Sequence, residues 1–272
     1  MIILSSENKV KESWNEWSET WYLKYRTEEA IARVISSPAS AFHPTTYRLI
    51  REAFPDLTGK RVLVPSSGDN HAVFAFHLLG AQVTSCDISD KQIENASIIA
   101  KHHSWDIEFI CEDTMTLSQL PSEEYDLVYT SNGVHVWIHD LKSMYNNVSR
   151  VLKSDGVYIM YDIHPFMRPF GIKAKEALTI NKPYHLTGPF GEVPTFKWRI
   201  QDILNAVVSS SLHIKRIEEM YAENGWFWVD DSENEGDNLT AKEVESYSDW
   251  RENPSAALPQ WLSVKAVKYT KE

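Results

Sequence analysis

Between residues 61 and 162 the chain alternates short apolar runs with longer stretches of mixed polarity. The apolar runs fall at 61–65, 82–86, 107–111, 125–131 and 157–162, and most end in turn residues or an acid. Such runs, rich in Val, Ile and Tyr and bounded by Gly, Asp, Asn or Ser, predict strands. The stretches 70–79, 90–103 and 140–152 place apolar residues at helical intervals and predict helices. Strands alternating with helices predict a parallel sheet covered on both faces. Beyond residue 198 the order changes to a helix over 200–211, a strand over 213–220, a long loop and a last strand over 261–269. That ending suits an antiparallel closure of the sheet, unlike an all-parallel dinucleotide fold.

Ahead of this core, residues 11–36 predict one helix with Trp14, Trp17, Trp21 and Tyr25 along a single face. That stripe can be plain core or part of a lid. A loop over 37–44, a helix over 45–54 and a turn over 55–60 lead into the first strand. The stretch Leu152 to Gly156 predicts a helix end and turn, with Gly156 in the left-handed conformation. Residues 163–198 break the rhythm with five prolines and three glycines, and read as an irregular insertion over the carboxyl edge of the sheet. Residues 230–237 read as a solvated acidic loop. No repeat or linker is visible. The expected organisation is one domain over 1–272, with an N-terminal helical cap over about 1–55 and a lid insertion over about 163–198.

Composition narrows the partners. A net charge of −11 argues against binding nucleic acid, which needs a basic face. No apolar run is long enough to span a bilayer, so no membrane is expected. The start, MIILSSENKV, lacks the basic flank and cleavage site of a secretion signal. The two cysteines, Cys86 and Cys111, are too few for a disulfide framework and read as small buried thiols in a reducing cytoplasm. No His/Cys spacing suggests a metal.

The chemistry concentrates at strand ends, where open α/β sheets bind ligands. The first strand runs into Val64-Pro65-Ser66-Ser67-Gly68-Asp69-Asn70, the second ends in Cys86-Asp87, the third in Glu112-Asp113, and the fourth in Ser131-Asn132-Gly133. A nucleotide-like cofactor follows. Over roughly residues 40–165 this order and spacing resemble the class I S-adenosylmethionine-dependent methyltransferases of small-molecule type. The resemblance implies a three-layer α/β, Rossmann-like fold with a mostly parallel seven-stranded sheet and an antiparallel C-terminal strand. It implies S-adenosyl-L-methionine as cofactor, held by Ser66, Gly68 and Asp69 in the turn. Asp87 would bind the ribose hydroxyls, with Ile88 against adenine. Asp113 would accept from the adenine amine, with Thr114 and Met115 beside it. Ser131 and Asn132 would flank the methionine part.

Physical chemistry supports these roles separately. A ribose diol suits a carboxylate with two acceptor oxygens, and an adenine amine needs an acceptor. The acidic mouth suits a sulfonium better than a pyrophosphate. Asp87 also suits a cap for the helix starting near Ser89, and Asp69 and Asn70 suit a cap for the helix over 70–79 that follows them; Asp113 can equally be a turn acid. The turn departs from the family pattern: Ser66 and Ser67 stand where small flexible residues are usual, Pro65 removes a backbone donor, and the usual acid before the turn is replaced by Val64.

Methyl transfer needs a general base only where the acceptor must lose a proton early. His135 and His139 follow the fourth strand and His164 the fifth, and His164 or His139 is the expected base. The substrate pocket is expected from Trp17, Tyr25, Trp226 and Trp228, whose aromatic walls would suit a flat or cationic small molecule. A nicotinamide enzyme would need G-x-G-x-x-G, of which only Gly68 fits. The Asn/Asp-Pro-Pro-aromatic tetrapeptide of enzymes that methylate exocyclic amines of bases is absent. The expected function is methyl transfer to a small-molecule acceptor by a cytoplasmic enzyme. The alternative is a catalytically degenerate relative that senses the cofactor or serves as an interaction module.

Overall fold

The computed structural model describes residues 2–68, 70–170, 177–229 and 239–269. One sheet contains β1 (Arg61–Pro65), β2 (Gln82–Asp87), β3 (Ile107–Cys111), β4 (Tyr125–Ser131), β5 (Leu152–Ile163), β6 (Leu212–Met220) and β7 (Trp261–Lys268). Their spatial order is β3-β2-β1-β4-β5-β7-β6. The first five are parallel, and β7 runs antiparallel to both β5 and β6. This is the three-layer Rossmann-like sheet expected from the alternation. Chain order reverses between β1 and β4, which opens a crevice at their carboxyl ends.

Alternation along the strands sorts the core into two layers. Val62 and Val64 of β1 and Val157 and Ile159 of β5 face one side. There they meet α2 (Glu28–Ser36), α3 (Pro44–Ala53), α4 (His71–Leu78) and α5 (Asp90–His102). Leu63, Tyr158 and Met160 face the other side, against α6 (Leu141–Val151) and α7 (Ile200–Ser209). In α4, Ala72 through Phe76 are all buried, because α2 and the turn Pro38–Ala41 pack over it. A helix covered on all sides is apolar all round.

The N-terminal segment differs from the expected single helix. It forms α1 (Ile2–Ser18), a short 3-10 turn (Trp21–Tyr25) and α2. Thr27 causes the second start: its side chain accepts the Ala30 N–H as an N-cap, and Glu28 and Glu29 follow in the first turn. Tyr25 therefore does not share a helical face with Trp14 and Trp17, and the Trp21 side chain lies outside what the structure describes.

Residues 152–156 are the start of β5, and the left-handed residue there is Asp155 (φ 60°) rather than Gly156. Gly156 is needed for closeness instead, since a Cβ would stand 2.8 Å from the Lys153 carbonyl oxygen. Cys86 is buried and its thiol donates to the Glu112 carbonyl, but Cys111 is exposed because β3 is an edge strand. The acidic loop 230–237 lies outside the described residues.

Residues 163–170 and 177–198 hold only a short turn (Pro165–Met167) and two isolated bridges. Two bonds tie this segment to the loop after β4: Phe196 N–H to the Val136 carbonyl (2.7 Å), and Trp198 Nε1–H to the Ile138 carbonyl (2.9 Å). The chain ends with α8 (Ala241–Ser246), a 3-10 turn and β7.

Candidate active site

Four strand ends meet at one cleft, lined by Ser66, Gly68, Asp87, Asp113 and Ser131. The turn after β1 forms its floor. Ser66 (φ 48°) and Gly68 (φ 53°) both take left-handed conformations. A Cβ on Gly68 would stand 3.0 Å from Gln92 Oε1, so only glycine leaves this backbone open. Ser67 is held beneath by a 2.7 Å bond between its hydroxyl and that of Ser85. Ser66 and Thr114 hydroxyls lie 2.6 Å apart and join the turn to the segment after β3. Asn70 caps α4 by accepting the Ala72 N–H, and its amide also donates to Ser131 Oγ at 2.8 Å.

Asp87 ends β2 and is buried. Its Oδ2 accepts the Gly68 N–H at 2.8 Å and its Oδ1 the Ser89 N–H at 2.8 Å. The carboxylate thus shapes the turn and the start of α5 together. Of the two acids after β3, Glu112 folds back on residues 116–119, accepting from the Ser118 N–H and hydroxyl and the Gln119 N–H. Asp113 stays half-buried at the cleft and accepts the Met115 N–H at 2.8 Å.

Ile88 and Met115 supply apolar flanks, Ser131, Asn132 and Gly133 close the far end, and Trp14, Tyr22 and Trp137 stand over it. Among the described lining residues there are two carboxylates and no Lys or Arg. This donor set fits an adenosyl sulfonium: acceptors for a diol and an amine, apolar walls for a ring, and no cation against a positive sulfur. It does not fit a pyrophosphate. Among the described residues no group of three or more His, Cys, Asp and Glu could hold a metal ion.

The sequence-predicted residues divide. Ser66, Gly68, Asp87, Ile88, Asp113, Thr114, Ser131 and Asn132 line this cleft, as does His139. Asp69 lies outside the described residues. His164 is elsewhere: its Nδ1 accepts the Phe166 N–H at 3.1 Å, and its Nε2 therefore donates to Glu219 at 2.8 Å. With both nitrogens committed and the side chain buried, it is placed as a cap rather than as a base for the cleft. Burial holds its pKa below the ordinary value, although Glu219 opposes this. His135 is likewise committed, to Asp162 through Nδ1 and to the Tyr145 hydroxyl through Nε2, each at 2.6 Å.

Of the expected aromatic pocket, Trp17 lines a second recess adjoining the cleft. Tyr25 is exposed on the 3-10 turn, Trp226 is 57% exposed, and Trp228 is buried at 1%. Trp226 and Trp228 lie in the turn Gly225–Trp228, where Phe227 packs edge-on against Trp261. None of these three lines the cleft or the recess. The wall is made instead by Trp14, Trp17 and Trp137, with ring centroids 5.4–5.5 Å apart. Trp137 was missed because the sequence around it, a short apolar stretch interrupted by two histidines, carries no periodicity.

Residues 64–160 match the family model described as a methyltransferase domain. Two relatives are similar: the uncharacterized methyltransferase YbaJ of Bacillus subtilis (strain 168), 25% identical over 126 residues, and the uncharacterized methyltransferase sll0829 of Synechocystis sp., 27% identical over 148 residues. The matches span 46% and 53% of this chain, and 49% and 66% of the relatives' own lengths. Among solved structures, an S-adenosylmethionine-dependent methyltransferase from Mesorhizobium loti shares the fold, with a TM-score of 0.59, 20% identity, and coverage of 82% of this chain and 97% of that one.

Proposed function

We propose that this chain, whose residues 64–160 match the family model described as a methyltransferase domain, moves a methyl group from S-adenosylmethionine to a small-molecule acceptor. The observation that carries the reading is the bond from Gly68 N–H to Asp87 Oδ2, which sets an acid and an open glycine turn against one cleft.

When bound, the cofactor supplies an activated methyl group on a cationic sulfur, so the protein's work is mainly alignment. In this reading Asp87 takes the ribose hydroxyls, Asp113 accepts from the adenine amine, and Ile88 and Met115 hold the ring between apolar side chains. Ser131, Asn132 and Gly133 border the methionine part. The N-terminal residues 1–55 and the insertion 163–198 act as cap and lid, with Trp14, Trp137 and Phe196 excluding water from the cleft. His139, on the cleft wall, is the candidate to take a proton from an acceptor that must lose one.

Calorimetric titration of S-adenosylmethionine, S-adenosylhomocysteine and NAD, with Asp87→Ala alongside, tests the reading. Micromolar binding of the two adenosyl ligands alone, lost in the variant, is expected. No binding of either would replace the enzyme reading with that of a degenerate interaction module.

A further inference from the structure

A second recess, of about 560 Å³, adjoins the cofactor cleft and shares Trp14, Asn132, Gly133 and Trp137 with it. Trp17, Val136 and Ile163 complete its apolar wall, and its one charged lining residue among those described is Arg168. The shared residues lie at the end of the cleft assigned to the methionine part. A molecule in the recess would therefore approach the transferable group from the side away from adenosine.

Arg168 is unusual in this chain. Its guanidinium has no hydrogen-bond or ion-pair partner among the described residues, although burial disfavours its charge. A guanidinium keeps its charge in proteins, and a buried charge is costly unless paired. The carboxylate it feels is Asp162, whose Oδ2 is taken by the His135 backbone N–H and ring and whose Oδ1 accepts the Ile163 N–H at 2.6 Å. Two more cations lie on the same segment. Lys182 is held below its ordinary pKa by burial and then by Lys197 and Arg168, so the three repel one another. The ammonium of Lys182 already donates to the Pro183 and Leu186 carbonyls. Among the described residues no carboxylate forms an ion pair with this positive cluster, which in a chain of net charge −11 suits an anion.

We propose that the recess binds the methyl acceptor, that this acceptor is an aromatic or otherwise flat carboxylate, and that Arg168 is its anchor. The flat body lies among Trp14, Trp17 and Trp137. One planar guanidinium fork matches one two-oxygen carboxylate. The proposal names the substrate class and so rests on the methyltransferase reading.

Ligand-observed NMR titrations of benzoate and phenylacetate against benzamide and phenylacetamide test it, each with and without S-adenosylhomocysteine. The wild-type chain is expected to bind each acid at least about tenfold tighter than its amide, the span of about 1.4 kcal/mol. Arg168→Gln should abolish this preference and Arg168→Lys should keep part of it, with S-adenosylhomocysteine binding showing that both variants fold. Equal binding of acids and amides by the wild-type chain would overturn the proposal, as would a preference that survives Arg168→Gln. If either variant fails to fold, the wild-type ratio alone decides. Failure of S-adenosylhomocysteine to bind the wild-type chain would instead count against the methyltransferase reading, and the acid-to-amide ratio without it would still judge the anion site.

Discussion

The side-chain oxygen of Asn15 accepts the hydroxyl hydrogen of Ser89 at 2.6 Å, joining positions 74 residues apart. Ser89 is the N-cap of α5 and its backbone N–H is bound by Asp87. The same Asn15 amide donates to Asp90 at 3.0 Å, and Lys11 pairs with Asp90 at 3.1 Å. Helix α1 is thus fastened, by polar groups, to the helix start that the cleft acid also holds. Asn15→Ala should remove the bonds with Ser89 and Asp90 and a longer one from the Lys91 N–H, each worth about 1 kcal/mol. Faster amide exchange over residues 8–18 and weaker S-adenosylhomocysteine binding are the expected outcomes, and unchanged exchange would show that α1 is held by its aromatic contacts instead.

Asp87→Asn should cost cofactor affinity more than it costs folding. The amide retains one acceptor oxygen for either the Gly68 or the Ser89 N–H but loses the charge. A hydrogen bond to a charged group contributes about 1.5–3 kcal/mol, so a loss of about 10–100-fold in Kd is expected by calorimetry.

Gly68→Ala tests the turn itself. The φ of 53° and the 3.0 Å approach to Gln92 together make a methyl group strained. A stability loss on the order of 1 kcal/mol, together with reduced cofactor binding, is expected in denaturant titrations and calorimetry.

His139→Ala should separate binding from chemistry. If His139 takes a proton, kcat on an ionisable acceptor should fall by about 100-fold or more while S-adenosylhomocysteine affinity is kept. Full turnover on that acceptor would leave alignment as the sole source of catalysis.

His164 predicts a pH dependence. Its folded-state pKa lies below the ordinary value because burial disfavours the charged ring. The unfolded chain therefore binds more protons, and stability rises with pH across the window between the two pKa values. The contribution is complete above about 6.5, the unperturbed histidine value, and is lost as pH falls through the lower, folded value. His43 and His77 are lowered by burial with the same sign. Melting temperatures measured from pH 8 down to pH 5 should fall, and His164→Asn, which can keep the cap on Phe166, should flatten the slope in part.

The sheet and the strand-end side of the cleft were legible in the sequence because both are local in the chain. Each strand announces itself by a β-branched run, and each acid or glycine turn sits where its own strand stops, so Gly68, Asp87 and Asp113 could be placed by counting. Even the break at Thr27 carried a local sign, the cap followed by Glu28 and Glu29. The aromatic recess beside it is different. Trp14, Trp137 and Arg168 come from a helix, a loop and an irregular segment far apart in sequence, and no period or spacing links them. The ring of His164 shows the converse: a histidine at a strand end looks available until the tertiary fold supplies Glu219 from β6 and commits its second nitrogen. Burial separated Trp228 from Trp137 in the same way. Hydrophobic pattern and turn chemistry fixed which elements form and where the cleft acids stand. Only the packing of distant segments decided which aromatic, histidine and arginine side chains share the cleft, because a side chain's partners across the fold are set by three-dimensional closure rather than by its neighbours in the chain.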